Sequence, residues 1–122
     1  MSVIRFNFFS EALVQQANVM ICLPTHSMGD AANGVSAEKY YRPGLKYQTL
    51  WLLHGGGGDD TDYVINSNIV RYSDEHKVAV VCPADYNQYY ANDIRGGANY
   101  FDYIVDELPR VLPGPVSTVC GA

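Results

Sequence analysis

The sequence has few basic residues and no long apolar run. Its 122 residues contain 8 Lys and Arg against 13 Asp and Glu, for a net charge of −5 at pH 7. The basic residues are scattered, whereas nucleic-acid binding relies on clustered Lys and Arg. The longest apolar stretches, residues 19–23 and 78–82, are far below the roughly 20 residues that cross a bilayer. We therefore expect neither a nucleic-acid nor a membrane partner.

The cysteines are too few, and too far apart in the sequence, to indicate a disulfide framework. Cys22, Cys82 and Cys120 are odd in number, and each lies among aliphatic residues, so we predict buried thiols rather than disulfides or a metal site. The acidic residues show no spacing typical of metal ligands. We expect no metal and no cofactor. No secretory signal pattern follows Met1, which predicts a cytoplasmic location.

The first third of the chain predicts a hairpin followed by a loop. Residues 2–10 alternate apolar and polar side chains, as a strand with one buried face does. Residues 17–23 predict a second strand that ends at Pro24, and the short connection makes the two strands antiparallel. Residues 25–44 are rich in Gly, Ala and Ser, and predict a long surface loop.

The remainder predicts a βαβ unit and one further helix. Apolar runs at residues 47–53 and 77–83 predict parallel strands, with a helix beginning around Ser67 between them. Residues 99–112 predict a helix that Pro109 kinks in its last turn. Its expected apolar stripe consists of Phe101, Ile104, Val105, Leu108 and Leu112.

The most informative feature is a strand that runs into His54 and four consecutive glycines, including Gly55, Gly56 and Gly57. Glycines let a backbone turn sharply and present its N–H groups without a Cβ in the way. Such a loop predicts an oxyanion hole for acyl chemistry, with Gly56 as donor and His54 bracing the loop. The alternatives are a plain flexible loop or a phosphate cradle. The P-loop and Rossmann motifs are absent, and Asp59 and Asp60 place negative charge where phosphate would lie.

A second candidate region follows the strand at residues 77–83. Ligands of open α/β sheets bind beyond the carboxyl ends of the strands. Tyr89, Tyr90, Asn92 and Asp93 are therefore predicted to line a substrate pocket, with surface packing as the alternative.

No complete catalytic triad can be assembled from the chain. His26 and His76 are predicted to lie on the surface. A triad histidine follows the nucleophile in the order typical of α/β-hydrolases, so His54 is not expected to transfer protons.

Four separated blocks support a resemblance to a known family. Residues 4–10, 52–55, 68–72 and 100–109 are similar, in this order, to the small tributyrin, acetyl and feruloyl esterases related to esterase D. The resemblance implies serine carboxylester hydrolysis without a cofactor in an α/β-hydrolase fold, whose sheet is mostly parallel with an N-terminal antiparallel hairpin. It also implies that Gly56 is an oxyanion donor. Many relatives carry a larger residue there, so the pocket floor is more open in this chain.

The end of the chain, residues 117–122, resembles the strand that leads into a G-x-S-x-G nucleophile elbow. Residues 1–122 are therefore predicted to form the N-terminal half of a single domain, with Ser, Asp and His in a following segment. The expected partners are a small-molecule ester and that C-terminal half. The isolated chain is expected to be inactive.

Several points stay open at this stage. The alternative hypothesis for the function is a non-catalytic α/β module that binds a small aromatic ligand. The chain could end where it does through truncation, cleavage at the elbow or a modified serine. Homo-oligomerisation and the acyl and alcohol specificity are not determined by the sequence.

Overall fold

A computed structural model describes residues 2–41, 45–85, 91 and 99–112. The strands are Ser2–Ser10 (β1), Gln15–Leu23 (β2), Thr49–Trp51 (β3) and Ala79–Pro83 (β4). The helices are Met28–Ala32 (α1), Glu38–Tyr41 (α2), Asp62–Asn66 (α3), Ile69–His76 (α4), Tyr100–Asp102 (α5) and Leu108–Val111 (α6), with a π-helical turn at Tyr103–Glu107. The described strands form one sheet in the order β1-β2-β4-β3. The predicted elbow strand at residues 117–122 lies outside the described residues.

The predicted N-terminal hairpin is confirmed. β1 and β2 pair antiparallel from Ser2 opposite Leu23 to Ser10 opposite Gln15. Along β1 the odd-numbered residues are exposed, whereas Ile4 and Phe6 are half-buried, which is the expected period of two. β2 begins two residues earlier than predicted.

The predicted long loop at residues 25–44 contains two helices, so that prediction is wrong in part. α1 begins with a capping box in which the Ser27 hydroxyl accepts a hydrogen bond from the Asp30 N–H (3.1 Å) and the Asp30 carboxylate accepts one from the Ser27 N–H (3.1 Å). This reciprocal cap satisfies N–H groups that the first turn of a helix leaves without partners. The small residues of this segment therefore form a short helix.

The predicted βαβ unit is confirmed. β3 and β4 are parallel, with Leu50 opposite Val80, and α3 and α4 connect them. α4 begins at Ile69, close to the predicted start, whereas α3 was not predicted. β3 is shorter than predicted, although the Leu52 N–H still donates to the Val81 carbonyl (2.9 Å).

The predicted C-terminal helix exists, but its apolar stripe is partly wrong. Phe101 and Val105 are 55% and 58% exposed, whereas Tyr103 is fully buried. The Leu108 N–H donates to the Tyr103 carbonyl five residues earlier, and this π-helical turn rotates the later residues relative to an ideal helix. The irregularity precedes Pro109, at which the kink was predicted.

The core lies on both faces of the sheet. On one face Tyr103 stacks on Phe8, with ring centroids 6.2 Å apart. On the other, Cys22, Val80 and Cys82 pack together. With two antiparallel pairings and one parallel pairing among its described strands, the sheet is mixed. No helix in the described part of the chain has the length and apolar character to cross a membrane.

Candidate active site at the glycine loop

The glycines after β3 form a tight turn at the carboxyl edge of the sheet. The Gly58 N–H donates to the Gly55 carbonyl (3.1 Å), and Gly57 has a φ of +77° whereas Gly56 does not have a positive φ. A positive φ only at the third position identifies a type II turn, in which glycine is strongly favoured at that position. The turn places the Gly56 peptide at its exposed tip.

The Gly56 N–H is an available donor. In the described part of the chain it makes no hydrogen bond, and a Cβ added at this position would meet no described atom within 4 Å. A backbone N–H held in a fixed direction by a turn is the kind of donor that stabilises a developing oxyanion. The turn thus offers one such donor to a ligand from outside.

His54 ties this turn to the end of β4. Its Nδ1 lies 2.7 Å from the Gly55 carbonyl oxygen, and its Nε2 lies 3.1 Å from the backbone N of Asp85. Nε2 is also 3.1 Å from Asp85 Oδ1. The two Asp85 contacts imply opposite roles for Nε2. Because the backbone N–H can only donate, we assign Nε2 as an acceptor and Nδ1–H as the donor to Gly55.

His54 and Asp85 are both buried, at 7% and 3% exposure. Parallel pairing of β3 and β4 brings them together, since the carboxyl ends of parallel strands meet at one edge of a sheet. Asp85 was not predicted as a site residue. The only sequence signal for it was its position two residues after β4.

The two aspartates after the glycines have different environments. The Asp59 carboxylate accepts hydrogen bonds from the Thr61 hydroxyl and N–H, and these hold the pKa of Asp59 below its ordinary value. Asp60 is only 4% exposed, and its Oδ2 has no hydrogen-bond partner among the described residues. Burial, with a smaller contribution from Asp59, raises the pKa of Asp60.

A pocket of about 300 Å³ opens beside the turn, between the glycines and α3. It is lined by Gly55, Asp62, Tyr63, Asn66 and Ser67. The Asp62 carboxylate lies against Gly58, where an added Cβ would be 2.0 Å from Asp62 Oδ2. Glycine at position 58 therefore allows the carboxylate to approach the turn.

The structure does not describe the predicted substrate-pocket residues. Tyr89, Tyr90, Asn92 and Asp93 lie outside the described residues. His26, which was predicted to lie on the surface rather than in the site, is half-buried, and its Nε2 lies 2.9 Å from the Val35 carbonyl oxygen. Among the described residues, no group of three His, Cys, Asp or Glu side chains is arranged to hold a metal ion.

The two described cysteines are buried on one face of the sheet. Burial raises the pKa of Cys22, and raises that of Cys82 to about 12. These thiols are therefore poor nucleophiles. Cys120 lies outside the described residues.

The chain is similar to known esterases. No protein-family model matches the chain. The chain is 27% identical over 108 residues to an acetyl esterase of Caldicellulosiruptor saccharolyticus, an alignment that covers 88% of the chain and 38% of that protein. The chain thus spans about two-fifths of the length of this relative.

Solved structures give the same result. FphF, a fluorophosphonate-binding serine hydrolase of Staphylococcus aureus, matches with a TM-score of 0.72 and 29% identity, over 95% of this chain and 42% of that one. The S-formylglutathione hydrolase FrmB of the same organism matches with a TM-score of 0.65 and 27% identity, over 95% and 42% of the respective chains. The predicted fold class and the resemblance to esterases of the α/β-hydrolase type are confirmed.

Proposed function

We propose that this chain supplies the oxyanion-hole loop and part of the substrate pocket of a serine carboxylesterase acting on short-chain acyl or feruloyl-type esters. The nucleophilic serine and its acid and base would lie in a following segment. The observation that carries the proposal is the Gly56 N–H, which is held at the tip of a type II turn without a hydrogen-bond partner among the described residues. Similarity to an acetyl esterase and to a serine hydrolase supports it.

The chemistry proposed for this loop is stabilisation of charge on the carbonyl oxygen. When the serine oxygen adds to the ester carbonyl carbon, the electron pair of the C=O bond moves onto oxygen. The Gly56 N–H would donate to that oxyanion. Collapse of the intermediate breaks the bond to the alcohol, which leaves with the proton taken from serine by the base. Water then releases the acid and regenerates the serine.

His54 would act as a positioning residue. Its Nε2 accepts a hydrogen bond from the Asp85 N–H, and its Nδ1–H donates to the Gly55 carbonyl. A general base needs a free nitrogen within reach of the substrate or nucleophile, and neither ring nitrogen meets that condition. The ring instead fixes the carbonyl at the first position of the turn, and so directs the next N–H.

Acyl chemistry fits the local charge better than phosphate binding does. Asp59, Asp60 and Asp62 follow the glycines within seven residues of Gly56. Their carboxylates would repel a phosphate, whereas an ester is neutral. Only a single negative charge develops on the carbonyl oxygen during acyl transfer, close to the N–H.

The test uses the full-length gene product with p-nitrophenyl acetate and p-nitrophenyl butyrate. We expect turnover that a serine-directed phosphonate abolishes at one equivalent per active site. Turnover that survives stoichiometric modification would exclude a serine mechanism. Saturable binding of an aromatic ester without any turnover would favour the non-catalytic binding module.

A further inference from the structure

The pocket beside the glycine turn is lined by Gly55, Asp62, Tyr63, Asn66 and Ser67 among the described residues, and the side chains of this lining offer mainly hydrogen-bond acceptors. The Tyr63 hydroxyl donates its proton to the Leu53 carbonyl (3.0 Å). The Ser67 hydroxyl donates its proton to the Tyr63 carbonyl (2.5 Å). A hydroxyl has one proton to donate, so both groups offer only lone pairs to a ligand. The Ser67 hydroxyl already accepts a hydrogen bond from the Ile69 N–H (3.3 Å), which leaves it one lone pair.

Asp62 adds a carboxylate, which accepts hydrogen bonds and does not donate them. In the part of the chain that the structure describes, it has neither a salt bridge nor a hydrogen bond from a side chain. It lies against the turn at Gly58. Among the five lining residues, Asn66 is the one whose side chain still has protons to donate.

We propose that this pocket binds a part of the substrate that carries hydrogen-bond donors and no negative charge, and that Asp62 is the residue that determines this specificity. The proposal rests on the proposed esterase function. Hydroxyl or ammonium groups would satisfy the lone pairs that the lining leaves open. A carboxylate or phosphate would meet the Asp62 carboxylate at close range and find few donors, so it would be rejected by charge and by unpaired acceptors.

The pocket could prefer a substrate for its hydrogen-bond donors or for its positive charge, and esters that differ in only one of these properties separate the two causes. We would compare acetate esters of glycerol, n-pentanol, choline and 4-hydroxybutyrate with the full-length gene product. The first has donors without charge, the second has neither, the third has positive charge without donors, and the fourth is an anion. The informative quantity is kcat/KM for each ester in the wild type and in the Asp62→Asn variant.

We expect Asp62→Asn to lower kcat/KM for the glycerol ester by about tenfold, the usual size of the effect when a hydrogen bond to a charged group is lost. The pentyl ester should change by less than about twofold on the same scale, and kcat/KM for the anionic ester should rise. A fall for the choline ester would show that charge contributes beside the donors. No change for it would assign the whole preference to hydrogen bonding.

Asp59→Asn is the matched control. It removes the same charge from the same loop, but Asp59 does not line the pocket, and its carboxylate is already bound by Thr61. The proposal is wrong if Asp59→Asn changes the selectivity as much as Asp62→Asn does. It is also wrong if Asp62→Asn affects all four esters equally.

A binding measurement separates this proposal from the esterase assignment. Glycerol should shift the backbone amide resonances of Asp62 and Asn66 saturably, whereas butyrate should not, and Asp62→Asn should weaken the glycerol effect. A wild-type protein without turnover would refute the esterase assignment, yet this titration would still decide the character of the pocket. Equal shifts by glycerol and butyrate would overturn the proposed specificity of the pocket.

Discussion

Removing the Gly56 N–H without disturbing the turn is the most direct test of the proposed oxyanion hole. Gly56 is the second residue of a type II turn, a position that proline favours because its ring fixes φ near −65°. Gly56→Pro therefore deletes one proton donor at a place where the backbone already suits proline. Other substitutions in the turn would mix loss of the donor with loss of structure.

The expected loss of activity follows from the donor's role. Deleting one oxyanion-hole donor costs about 10²–10³ in kcat, or roughly 3–4 kcal/mol of transition-state stabilisation. The hydrogen bond strengthens as charge develops, so KM should change far less than kcat. Stability should be unchanged or rise by about 0.4–1 kcal/mol, since proline restricts the unfolded chain.

The assay is hydrolysis of p-nitrophenyl acetate by the full-length gene product, with urea unfolding of each variant measured in parallel. Gly56→Ala is the control, because it keeps the N–H and its Cβ meets no described atom within 4 Å. A folded Gly56→Pro variant that keeps more than about one-tenth of the wild-type kcat would refute the donor assignment, given the usual size of this effect. Equal losses in both variants would instead attribute the effect to added bulk.

Three further predictions concern the groups around the turn. His54→Ala should lower the free energy of unfolding in urea by about 1–3 kcal/mol because it removes the buried acceptor of the Asp85 N–H. His54→Gln, which keeps an acceptor, should lose less, and equal losses would contradict the bracing role. Because burial raises the pKa of Asp60 in the folded state, the wild type should gain stability relative to Asp60→Asn as pH falls from 7 towards the unfolded pKa near 3.8, and a pH-independent difference would exclude this cause. Cys82, whose pKa is raised to about 12, and Cys22 should not react with a thiol reagent at pH 8 until the protein is unfolded, so labelling of either in the native protein would show that the sheet face is accessible.

Much of the fold follows from local patterns in the sequence. The alternation in β1 and the continuous apolar run of β4 reflect burial on one face and on two faces, and both strands lie where these patterns predict them. Loop assignments were weaker because they rested on composition. The segment containing Ser27 and Asp30 was predicted to be a loop, yet their reciprocal hydrogen bonds cap the first turn of α1.

The C-terminal helix shows why periodicity alone can misplace a face. The predicted stripe assumes 3.6 residues per turn throughout, whereas the turn at Tyr103–Glu107 contains an i→i+5 hydrogen bond. The Glu107 carboxylate, within that turn, accepts hydrogen bonds from the Ser10 hydroxyl and the Glu11 N–H. This contact joins residues about a hundred positions apart in sequence, so no local pattern could have revealed it.

The candidate site likewise combines features that local sequence predicts with features that depend on tertiary contacts. The position of His54 beside the glycine turn could be predicted because these residues are adjacent in sequence. Asp85 was not predicted, because its contact with His54 depends on the parallel register of β3 and β4. Asp62 was not, because its role depends on a side chain folding back onto Gly58.

The structure also separates the glycines of the loop by the reason that each is needed. Gly57 has a positive φ, which favours glycine, and at position 58 an added Cβ would displace the Asp62 carboxylate. Gly56 has neither constraint among the described residues. A demand for glycine or for an N–H at that position would therefore come from a group outside the described residues, such as a bound ligand. Where urea unfolding shows that Gly56→Ala and Gly56→Pro are both as stable as the wild type, a difference in their activity reports on the loss of this N–H, because alanine keeps it and proline does not.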